Sequence, residues 1–306
     1  MNYIDLFSGC GGFRKGFEES GFSFKWEGHS EIDKYASSVY ERHYPNSEVL
    51  GNVNDVRTDE LPGGRYIISF GFPCQDLSIA GKRKGLSGQR SGLFYRAMQI
   101  VREVKPDYFI FENVKGLFSS NDGRDFVEVL REVADSGYDG QWQMLNTAWF
   151  LPQNRERIYF VGNPRGKGRR KIFPFEESYG ISVKEPQKKQ KLSTLDIKCG
   201  GLTHTSNYFA IPVLTPDRPE KRQNGRIFKE DGDPMFTITA QDRHGIFDGN
   251  YIRKLTPKEC ERAQGLPDDW TRLGKNGDEI SDSQRYKMIG NAVSVPVVKA
   301  VAERLA

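Results

Sequence analysis

Three groups of polar residues in this chain stand where apolar segments end, and their residue types suit nucleophilic and acid–base chemistry. Cys74 follows the apolar segment 65–70 and precedes a basic, glycine-rich stretch. A cysteine thiolate is the most reactive nucleophile among the common side chains. An isolated cysteine is more often a small buried hydrophobic residue, so the residue type alone leaves a catalytic and a structural role open.

Two further groups could assist such a nucleophile. Glu112 follows the apolar segment 108–111, where it could act as a general acid or simply face solvent. Arg155 and Arg157 lie in the segment 153–157, and in an extended chain side chains two residues apart share a face. The two arginines suit either a salt-bridged surface strand or a pair of guanidinium groups directed at an anion or a base.

The segments that must position these groups alternate between short apolar runs and amphipathic stretches of about ten residues. Such alternation predicts an α/β fold with a mainly parallel sheet covered on both faces. Cys74 and Glu112 would then lie at the carboxyl edge of the sheet, where ligands bind in this class of fold. The predicted strands are 3–7, 24–28, 67–70, 108–111, 142–148 and 157–161, and the predicted helices are 12–20, 33–44, 93–104 and 125–134.

A glycine-rich turn joins the first predicted strand to the first helix. Its pattern, Gly9-x-Gly11-Gly12, lets a ligand approach the backbone at an electropositive helix N-terminus. The spacing differs from the G-x-G-x-x-G of dinucleotide enzymes, and glycines also simply make tight turns. Glu31 stands about twenty residues further on, where an acidic side chain commonly binds a ribose. Together these residues favour a cofactor of the adenosine type.

Composition and charge narrow the class of protein. Hydrophobic residues make up 37% of the 306, and no apolar run approaches the roughly 18 residues of a membrane-spanning helix. The N-terminus lacks the pattern of a signal peptide, and the four cysteines lie far apart, without the spacing of metal ligands. These features predict a cytoplasmic protein with reduced thiols and no metal site.

The charge is distributed unevenly. Residues 1–150 carry 17 Lys and Arg against 21 Asp and Glu, whereas residues 151–306 carry 28 against 20. A basic second half is compatible with a surface that binds a polyanion such as nucleic acid. It is equally compatible with an ordinary basic surface.

Five sequence elements in order resemble the motif series of the cytosine-5 DNA methyltransferases, in particular those of prokaryotic restriction–modification systems. The resemblance covers residues 1–162 and about 251–306. The elements are Asp5-Leu6-Phe7-Ser8-Gly9-Cys10-Gly11-Gly12-Phe13, Pro73-Cys74-Gln75, Glu112-Asn113-Val114, Gln153-Asn154-Arg155-Glu156-Arg157 and Gly290-Asn291-Ala292-Val293.

The resemblance implies a class I S-adenosylmethionine-dependent methyltransferase fold, with a catalytic core at 1–162, a target recognition domain at 163–250 and a C-terminal segment at 251–306 that returns to the core. It implies transfer of a methyl group from S-adenosylmethionine to C5 of a cytosine in a specific double-stranded DNA sequence. The enzyme would be a monomer in a prokaryotic cytoplasm, working at the nucleoid. It would serve a restriction–modification system, without binding the cognate endonuclease, or be an orphan or phage equivalent.

The same resemblance gives roles to the candidate catalytic residues. Cys74 would add to C6 of a base flipped out of the duplex, and Pro73 would stiffen the turn that carries it. Glu112 would hydrogen-bond N3 and the amino group of the base. Arg157 would contact its carbonyl oxygen, with Arg155 nearby.

The expected cofactor site departs from the common family pattern at two positions. Asn52 stands where an aspartate usually contacts the adenine amino group, although its side-chain carbonyl can still accept a hydrogen bond. Ile32 stands where an aromatic residue often stacks on adenine, so only apolar packing is expected there. The full predicted set is Phe7, Ser8, Gly9, Cys10, Gly11, Gly12, Glu31, Ile32, Asn52, Val53, Phe72, Leu93, Asn291 and Ala292.

The predicted DNA contacts fall in the loop after Cys74 and in the recognition interval. Thr237-Ile238 matches the Thr-Leu marker of the recognition domain, and Arg and Gln side chains are suited to base edges. After this interval, Thr256, Pro257 and Glu259 predict a capped helix start. The predicted DNA-binding residues are Gln75, Ser78, Lys82, Arg83, Gln153, Thr237, Gln241, Arg243, His244 and Arg253.

Three alternatives remain open. A branch of the family acts on tRNA, although Gln75 after the cysteine and the full recognition interval favour DNA. A catalytically inactive DNA-binding homologue is disfavoured because Cys74, Glu112 and Arg157 are all present. A nicotinamide oxidoreductase is disfavoured by the glycine spacing.

Overall fold

The computed structural model describes residues 1–72, 92–167, 170–176, 211–214, 216, 228–230, 233–241, 244–247 and 252–306. Strands and helices alternate through the first half of the chain, as the sequence predicts. The strands are β1 (Asn2–Leu6), β2 (Glu27–Ser30), β3 (Glu48–Gly51), β4 (Tyr66–Phe70), β5 (Tyr108–Val114), β6 (Tyr138–Asn146), β7 (Glu156–Pro164), β8 (Ile211–Leu214), β9 (His244–Phe247) and β10 (Ile252–Lys254). The helices are α1 (Gly12–Glu19), α2 (Lys34–His43), α3 (Gly92–Val104), α4 (Arg124–Asp135), α5 (Pro257–Gln264), α6 (Asp282–Asn291) and α7 (Val295–Glu303).

The larger sheet has seven strands in the order β3-β2-β1-β4-β5-β7-β6. Strands β1 to β5 run parallel, and β7 runs antiparallel to both of its neighbours. This arrangement confirms the predicted α/β class with a mainly parallel sheet. The carboxyl ends of β1, β2, β4 and β5 consequently meet along one edge.

Aromatic side chains form much of the core beneath that edge. The Phe111 ring stacks on Phe160 with ring centroids 4.7 Å apart, and on Phe70 at 5.2 Å. All three side chains are fully buried, which accounts for the continuous apolar strands of the sequence. Burial of large aromatic rings is among the strongest contributions to the stability of a core.

The predicted boundaries agree with the structure for all four helices to within about a residue at each end, which is the usual uncertainty of such boundaries. Two strand predictions are displaced. The strand predicted at 24–28 is β2 at 27–30, because Phe24 stacks on Tyr3 at 4.6 Å within the apolar core instead of joining the ladder. The strand predicted at 142–148 is β6 at 138–146, and residues 147–149 form a 3-10 turn.

The second sheet has three antiparallel strands in the order β10-β9-β8, and it lies within and just after the predicted recognition interval. Helix α5 begins with a complete capping box. The Glu259 amide donates to Thr256 Oγ1 at 3.3 Å, and the Thr256 amide donates to Glu259 Oε2 at 2.7 Å. Pro257 occupies the first helical position, so the predicted helix start is confirmed.

No helix among the described residues has both the length and the apolar character that crossing a membrane requires. In the same residues, no cluster of three or more His, Cys, Asp or Glu side chains could hold a metal ion.

Candidate active site at the carboxyl edge of the sheet

The turn after β1 has an unusual backbone. Phe7, Gly9 and Gly11 have positive φ angles of 54°, 55° and 91°. A positive φ is costly for phenylalanine, and such strain is typical of ligand-binding turns. The turn is held by two backbone hydrogen bonds, from the Ser8 amide to the Ser30 carbonyl and from the Gly11 amide to the Ser8 carbonyl, at 3.1 and 3.0 Å.

Glu31 closes this turn from the end of β2. Its Oε2 accepts the Gly9 amide, and its Oε1 accepts the amides of Ile32 and Asp33, all at 2.8 Å. An ionised carboxylate can accept about four hydrogen bonds, so one lone pair on Oε2 remains for a ligand. That arrangement fits the predicted contact with a ribose hydroxyl.

The rim beside Glu31 presents apolar and polar surface together. Ile32 is 77% exposed, which is unusual for an isoleucine, and it offers an apolar surface against which a ligand could pack. Asn52 is exposed, and its Oδ1 accepts the Asn54 amide at 3.0 Å while keeping a second lone pair. Gly51 has a φ of 68° and open space around it in the described part of the chain. These residues fit an adenine ring.

The remaining predicted cofactor residues differ in their exposure to solvent. Val53 is buried, and Leu93 is half-buried near the start of α3. Asn291 is exposed at the end of α6, whereas Ala292 is buried. Val293 packs so closely on Gly12 that a Cβ there would lie 2.9 Å from Val293 Cγ2.

Cys10 and Ser8 differ in what they can offer a ligand. Burial raises the pKa of the Cys10 thiol to about 12, so this cysteine contributes backbone and packing rather than a thiolate. Ser8 is 6% exposed, and its Oγ has no hydrogen-bond partner among the described residues. An unsatisfied buried hydroxyl next to a glycine-rich turn is available to a ligand.

The structure adds a residue that the sequence analysis missed. The Trp270 indole Nε1 donates to the Cys10 carbonyl at 2.8 Å, and its ring stacks on His43 at 3.5 Å. Trp270 therefore fixes the turn from the C-terminal segment. The sequence held no signal for this contact, because the two residues are 260 positions apart.

On the other side of β1, Glu112 and Arg157 face one another from β5 and β7. Arg157 Nε lies 2.9 Å from Glu112 Oε1, and the two side chains are only 15% and 12% exposed. The pair is poorly aligned for a hydrogen bond, since Oε1 accepts none from the described residues. Glu112 Oε2 lies beside Gly71, 3.9 Å from where a Cβ of that glycine would be. The glutamate thus faces the strand end that leads to Cys74.

The ends of the segment that carries Cys74 are held close together. The Asn113 amide group donates to the Phe72 carbonyl at 3.5 Å, and the Phe72 and Phe94 rings lie 5.0 Å apart. Phe72, predicted to contact the cofactor, is 2% exposed and packs in the core. The predicted residues Pro73, Cys74, Gln75, Ser78, Lys82 and Arg83 lie outside the described residues.

Arg155 and Arg157 have different partners, although the sequence predicts a shared direction. Arg155 is 3% exposed, and its guanidinium donates to the carbonyl groups of Ile238, Gly290 and Ala292 at 2.9, 3.3 and 2.9 Å. These bonds hold it in the interior. Arg157 instead lies at the partly exposed edge beside Glu112.

Two predicted DNA contacts have side chains that are buried in this structure. Gln153 is fully buried, where its amide donates to the Ala263 carbonyl at 2.7 Å and accepts the Ile238 amide at 2.9 Å. His244 is 6% exposed and accepts the Thr239 amide at 3.4 Å. Both side chains satisfy backbone groups within the protein, so neither presents polar atoms to a duplex in this structure.

The other predicted DNA-binding residues differ in their exposure and in their hydrogen-bond partners. Thr237 donates from Oγ1 to the Asn154 carbonyl at 2.5 Å, and Gln241 is exposed. Arg253 forms a two-pronged ion pair with Glu259 at 2.7 and 3.0 Å, which places it next to the capping box of α5. Arg243 lies outside the described residues.

Comparison with known proteins identifies the family. The model of the C-5 cytosine-specific DNA methylases matches residues 1–198 and 198–306, which together span the chain. The type II methyltransferase M.NlaX of Neisseria lactamica is 32% identical over 99% of this chain and 95% of its own length. The orphan methyltransferase M.SPRI of Bacillus phage SPR is 29% identical over 100% and 97%.

A solved structure supports the same fold. The S. pombe Dnmt2 methyltransferase superposes with a TM-score of 0.71 at 18% identity, over 98% of this chain and 96% of that one. The mainly parallel seven-stranded sheet is consistent with the class I S-adenosylmethionine-dependent methyltransferase fold. The chain therefore belongs to the C-5 cytosine-specific DNA methylases and is a DNA cytosine-5 methyltransferase.

Proposed function

We propose that the enzyme transfers a methyl group from S-adenosylmethionine to C5 of a cytosine in a specific double-stranded DNA sequence, using Cys74 as a covalent nucleophile. The observation that carries the proposal is the Glu112–Arg157 pair, at 2.9 Å, beside the strand end that leads to Cys74. Cys74 follows Phe72 by two positions in the sequence, and the Phe72 carbonyl accepts a hydrogen bond from the Asn113 amide group at 3.5 Å.

Cys74 supplies the electrons that activate the base. Its thiolate forms a bond to C6 of a cytosine flipped out of the duplex, and the electron pair of the C5–C6 double bond makes C5 nucleophilic. S-adenosylmethionine, when bound, supplies an electrophilic methyl group at this position. Removal of the C5 proton by a base then restores the double bond, and the C6–sulfur bond breaks to release the thiolate.

Glu112 and Arg157 hold the base during these steps. Glu112 Oε2 faces the strand end and would accept the amino group of the base, while a proton on the carboxyl group would bridge to N3. Arg157 Nη1 donates to the Glu156 carbonyl at 2.8 Å, whereas Nη2 makes no hydrogen bond to the described residues. Nη2 is therefore the donor for the carbonyl oxygen of the base.

The turn after β1 would hold the cofactor. The remaining lone pair of Glu31 suits a ribose hydroxyl, the exposed Ile32 surface suits an adenine ring, and the open backbone at Gly9 leaves room for close approach. Cofactor and base would then be neighbours at the sheet edge, the cofactor at the end of β1 and the base at the end of β4. Transfer of a methyl group between them requires that they lie next to one another.

The relatives suggest the biological setting. Those at 28–32% identity include both type II and orphan methyltransferases. We accordingly propose that this enzyme is a modification methyltransferase of a restriction–modification system or an orphan equivalent. Target recognition would rest on residues 163–250, with Thr237 and Gln241 among the DNA contacts.

The first test combines site mapping with covalent trapping. Cells expressing the enzyme should show cytosine methylation in one sequence context by bisulfite sequencing. Purified enzyme should form a stable adduct with duplex DNA of that sequence carrying 5-fluorocytosine, in the presence of S-adenosylmethionine. Cys74→Ser should abolish both signals while still binding S-adenosylhomocysteine.

A matched control uses another cysteine. Burial raises the pKa of Cys260 to about 12, so its thiol is unreactive and Cys260→Ala should trap DNA normally. Trapping by Cys74→Ser, or methylation of tRNA without methylation of duplex DNA, would contradict the proposal.

A further inference from the structure

Two segments that serve different ligands meet at one buried arginine. The recognition strip comprises residues 233–241, which contain the proposed DNA contacts Thr237 and Gln241. The C-terminal turn comprises residues 290–293, which contain the proposed cofactor contacts Asn291 and Ala292. Arg155 donates to the Ile238 carbonyl of the strip and to the Gly290 and Ala292 carbonyls of the turn.

The recognition strip is also in direct backbone contact with the C-terminal turn. A Cβ added at Gly290 would collide with backbone atoms of Thr239 and Ala240, so the two segments touch at a point where only glycine fits. On its other side, Val293 packs against Gly12 of the cofactor turn. The strip, the turn and the proposed cofactor site are therefore linked by a continuous series of contacts.

The core side of this junction is held by hydrogen bonds. Met235 exchanges backbone hydrogen bonds with the connector before β7, donating to the Pro152 carbonyl and accepting the Asn154 amide, both at 2.9 Å. Gln153 accepts the Ile238 amide at 2.9 Å. Gln264 donates to the Ile289 and Ala292 carbonyls at 3.0 and 3.3 Å. Arg155 differs from these residues because its own side chain reaches both segments.

The chemistry of arginine explains why this position suits a coupling role. Placing a guanidinium in the interior is costly, and hydrogen bonds from its nitrogens to fixed acceptors offset that cost. The planar, fork-shaped guanidinium can serve two acceptors in different directions at fixed angles. All three bonds form only when the strip and the turn hold the relative position seen here.

We propose that Arg155 couples DNA binding to cofactor binding, so that each ligand strengthens the binding of the other. A ligand that fixes one segment lowers the ordering cost of the bonds that Arg155 makes to the other segment. Such coupling is reciprocal and is commonly worth 5- to 150-fold in affinity, of which we expect about tenfold here. This inference rests on the proposed use of S-adenosylmethionine and duplex DNA.

The test measures a ratio of affinities rather than activity. The dissociation constant of S-adenosylhomocysteine is determined by calorimetry with and without a short duplex of the sequence mapped by bisulfite sequencing. In the wild-type enzyme we expect the duplex to lower this constant about tenfold. In Arg155→Lys we expect a change below roughly twofold, because an ammonium group cannot reproduce the fork-shaped geometry.

Arg304→Lys is the matched control. Arg304 also donates to backbone carbonyl groups, including that of Pro174 at 2.9 Å, which belongs neither to the strip nor to the turn. This variant should keep the wild-type ratio. If Arg155→Lys weakens both affinities and leaves the ratio unchanged, Arg155 stabilises the structure without coupling the sites, and the inference is wrong.

Amide hydrogen exchange of the wild-type enzyme gives a measurement that does not depend on the folding of a variant. Adding S-adenosylhomocysteine should slow exchange in peptides covering the strip, and adding the duplex should slow exchange in peptides covering the turn. Protection confined to each ligand's own site would overturn the inference. Failure of the wild-type enzyme to bind S-adenosylhomocysteine at all would overturn the proposed function and this inference with it.

Discussion

The carboxyl edge of the large sheet has two halves that are built in different ways. In the cofactor half, Glu31 is held by three backbone amides at 2.8 Å, and the turn it closes is fixed by further backbone bonds. In the base half, Glu112 faces the Arg157 side chain at 2.9 Å, and its Oε1 accepts no hydrogen bond from the described residues. Both halves thus present a glutamate, but the Glu31 carboxylate accepts three hydrogen bonds from the protein, whereas Glu112 Oε1 accepts none from the described residues.

The difference indicates that the cofactor half has its shape before a ligand binds, whereas the polar groups of the base half gain their remaining hydrogen bonds only when a base binds. The amides around Glu31 are satisfied within the protein, so the shape of the cofactor half exists before binding. The polar atoms of Glu112 and Arg157 retain unused capacity, which a flipped base can fill. Preorganised polar groups of this kind act where charge develops in a reaction. Substitutions in the two halves should therefore affect different measurements.

The largest effect is expected from Glu112→Gln. The amide has a fixed NH2 group and cannot both donate a proton to N3 and return it, so turnover should fall by about 10²- to 10³-fold. Binding of S-adenosylhomocysteine should stay within about twofold of wild type, because Glu112 lies in the other half. Single-turnover methylation and calorimetry measure the two quantities.

The neighbouring acid provides a control for Glu112. Glu156 pairs with Lys115 at 2.9 Å on the exposed end of β7, and Glu156→Gln should change neither quantity appreciably. A Glu112→Gln enzyme with wild-type turnover would remove Glu112 from the mechanism.

The second largest effect is expected in the cofactor half, where a substitution of Glu31 should weaken cofactor binding. Glu31→Ala removes the acceptor of three exposed or partly buried amides and the proposed ribose contact, and loss of one ordinary hydrogen bond costs about 0.5–1.5 kcal/mol. Affinity for S-adenosylhomocysteine should fall by about 10²-fold, and the melting temperature should fall as well. Glu19→Ala on the outer face of α1 should leave both unchanged. Unaltered cofactor affinity in folded Glu31→Ala would show that this carboxylate does not serve the cofactor half.

A smaller effect on cofactor binding is expected from Trp270, which holds the turn after β1 through its bond to the Cys10 carbonyl. Trp270→Phe keeps the stacked ring beside His43 but removes the hydrogen bond to the Cys10 carbonyl. Loss of one such bond corresponds to about 0.5–1.5 kcal/mol, or roughly a two- to tenfold weaker binding of S-adenosylhomocysteine. Trp142→Phe, at an exposed position of β6, should bind normally. Equal affinities for both variants would show that the turn holds its shape without Trp270.

The two halves also differ in how far the sequence could predict them. The cofactor half follows from local patterns, since the glycine turn, the strand ends and Glu31 are each specified within a few residues. The base half joins residues at the ends of β4, β5 and β7, and in the sequence only the family resemblance links Glu112 and Arg157 to the same base. The sequence could not predict that Gln153 and His244 bond to backbone amides, because polarity does not reveal whether a side chain faces DNA or satisfies buried backbone. Trp270 carried no local signal for its contact with Cys10.

The boundary between the halves carries its own prediction, with the smallest expected effect on turnover. Asp5 on β1 accepts the Ser69 hydroxyl of β4 at 2.7 Å, and Ser69 in turn lies 2.5 Å from the Tyr3 hydroxyl. Asp5 is fully buried, its Oδ2 has no partner among the described residues, and burial raises its pKa to about 8. The carboxyl group is therefore protonated in the folded enzyme below that pH.

The sign of the pH dependence follows from proton binding. An aspartate in the unfolded chain releases its proton near pH 4, whereas folded Asp5 keeps it until about pH 8. The folded state binds the extra proton between these values, so the free energy of unfolding should fall as the pH rises through this window, with a slope of up to about 1.4 kcal/mol per pH unit. Asp5→Asn should flatten that slope in urea unfolding and change turnover near neutral pH by less than roughly twofold, because the amide keeps an acceptor for Ser69. Asp135→Asn, at an exposed position of α4, should keep the wild-type slope. An unchanged slope in Asp5→Asn would mean that the joint between the two halves does not titrate, and that they are held together equally well across this pH range.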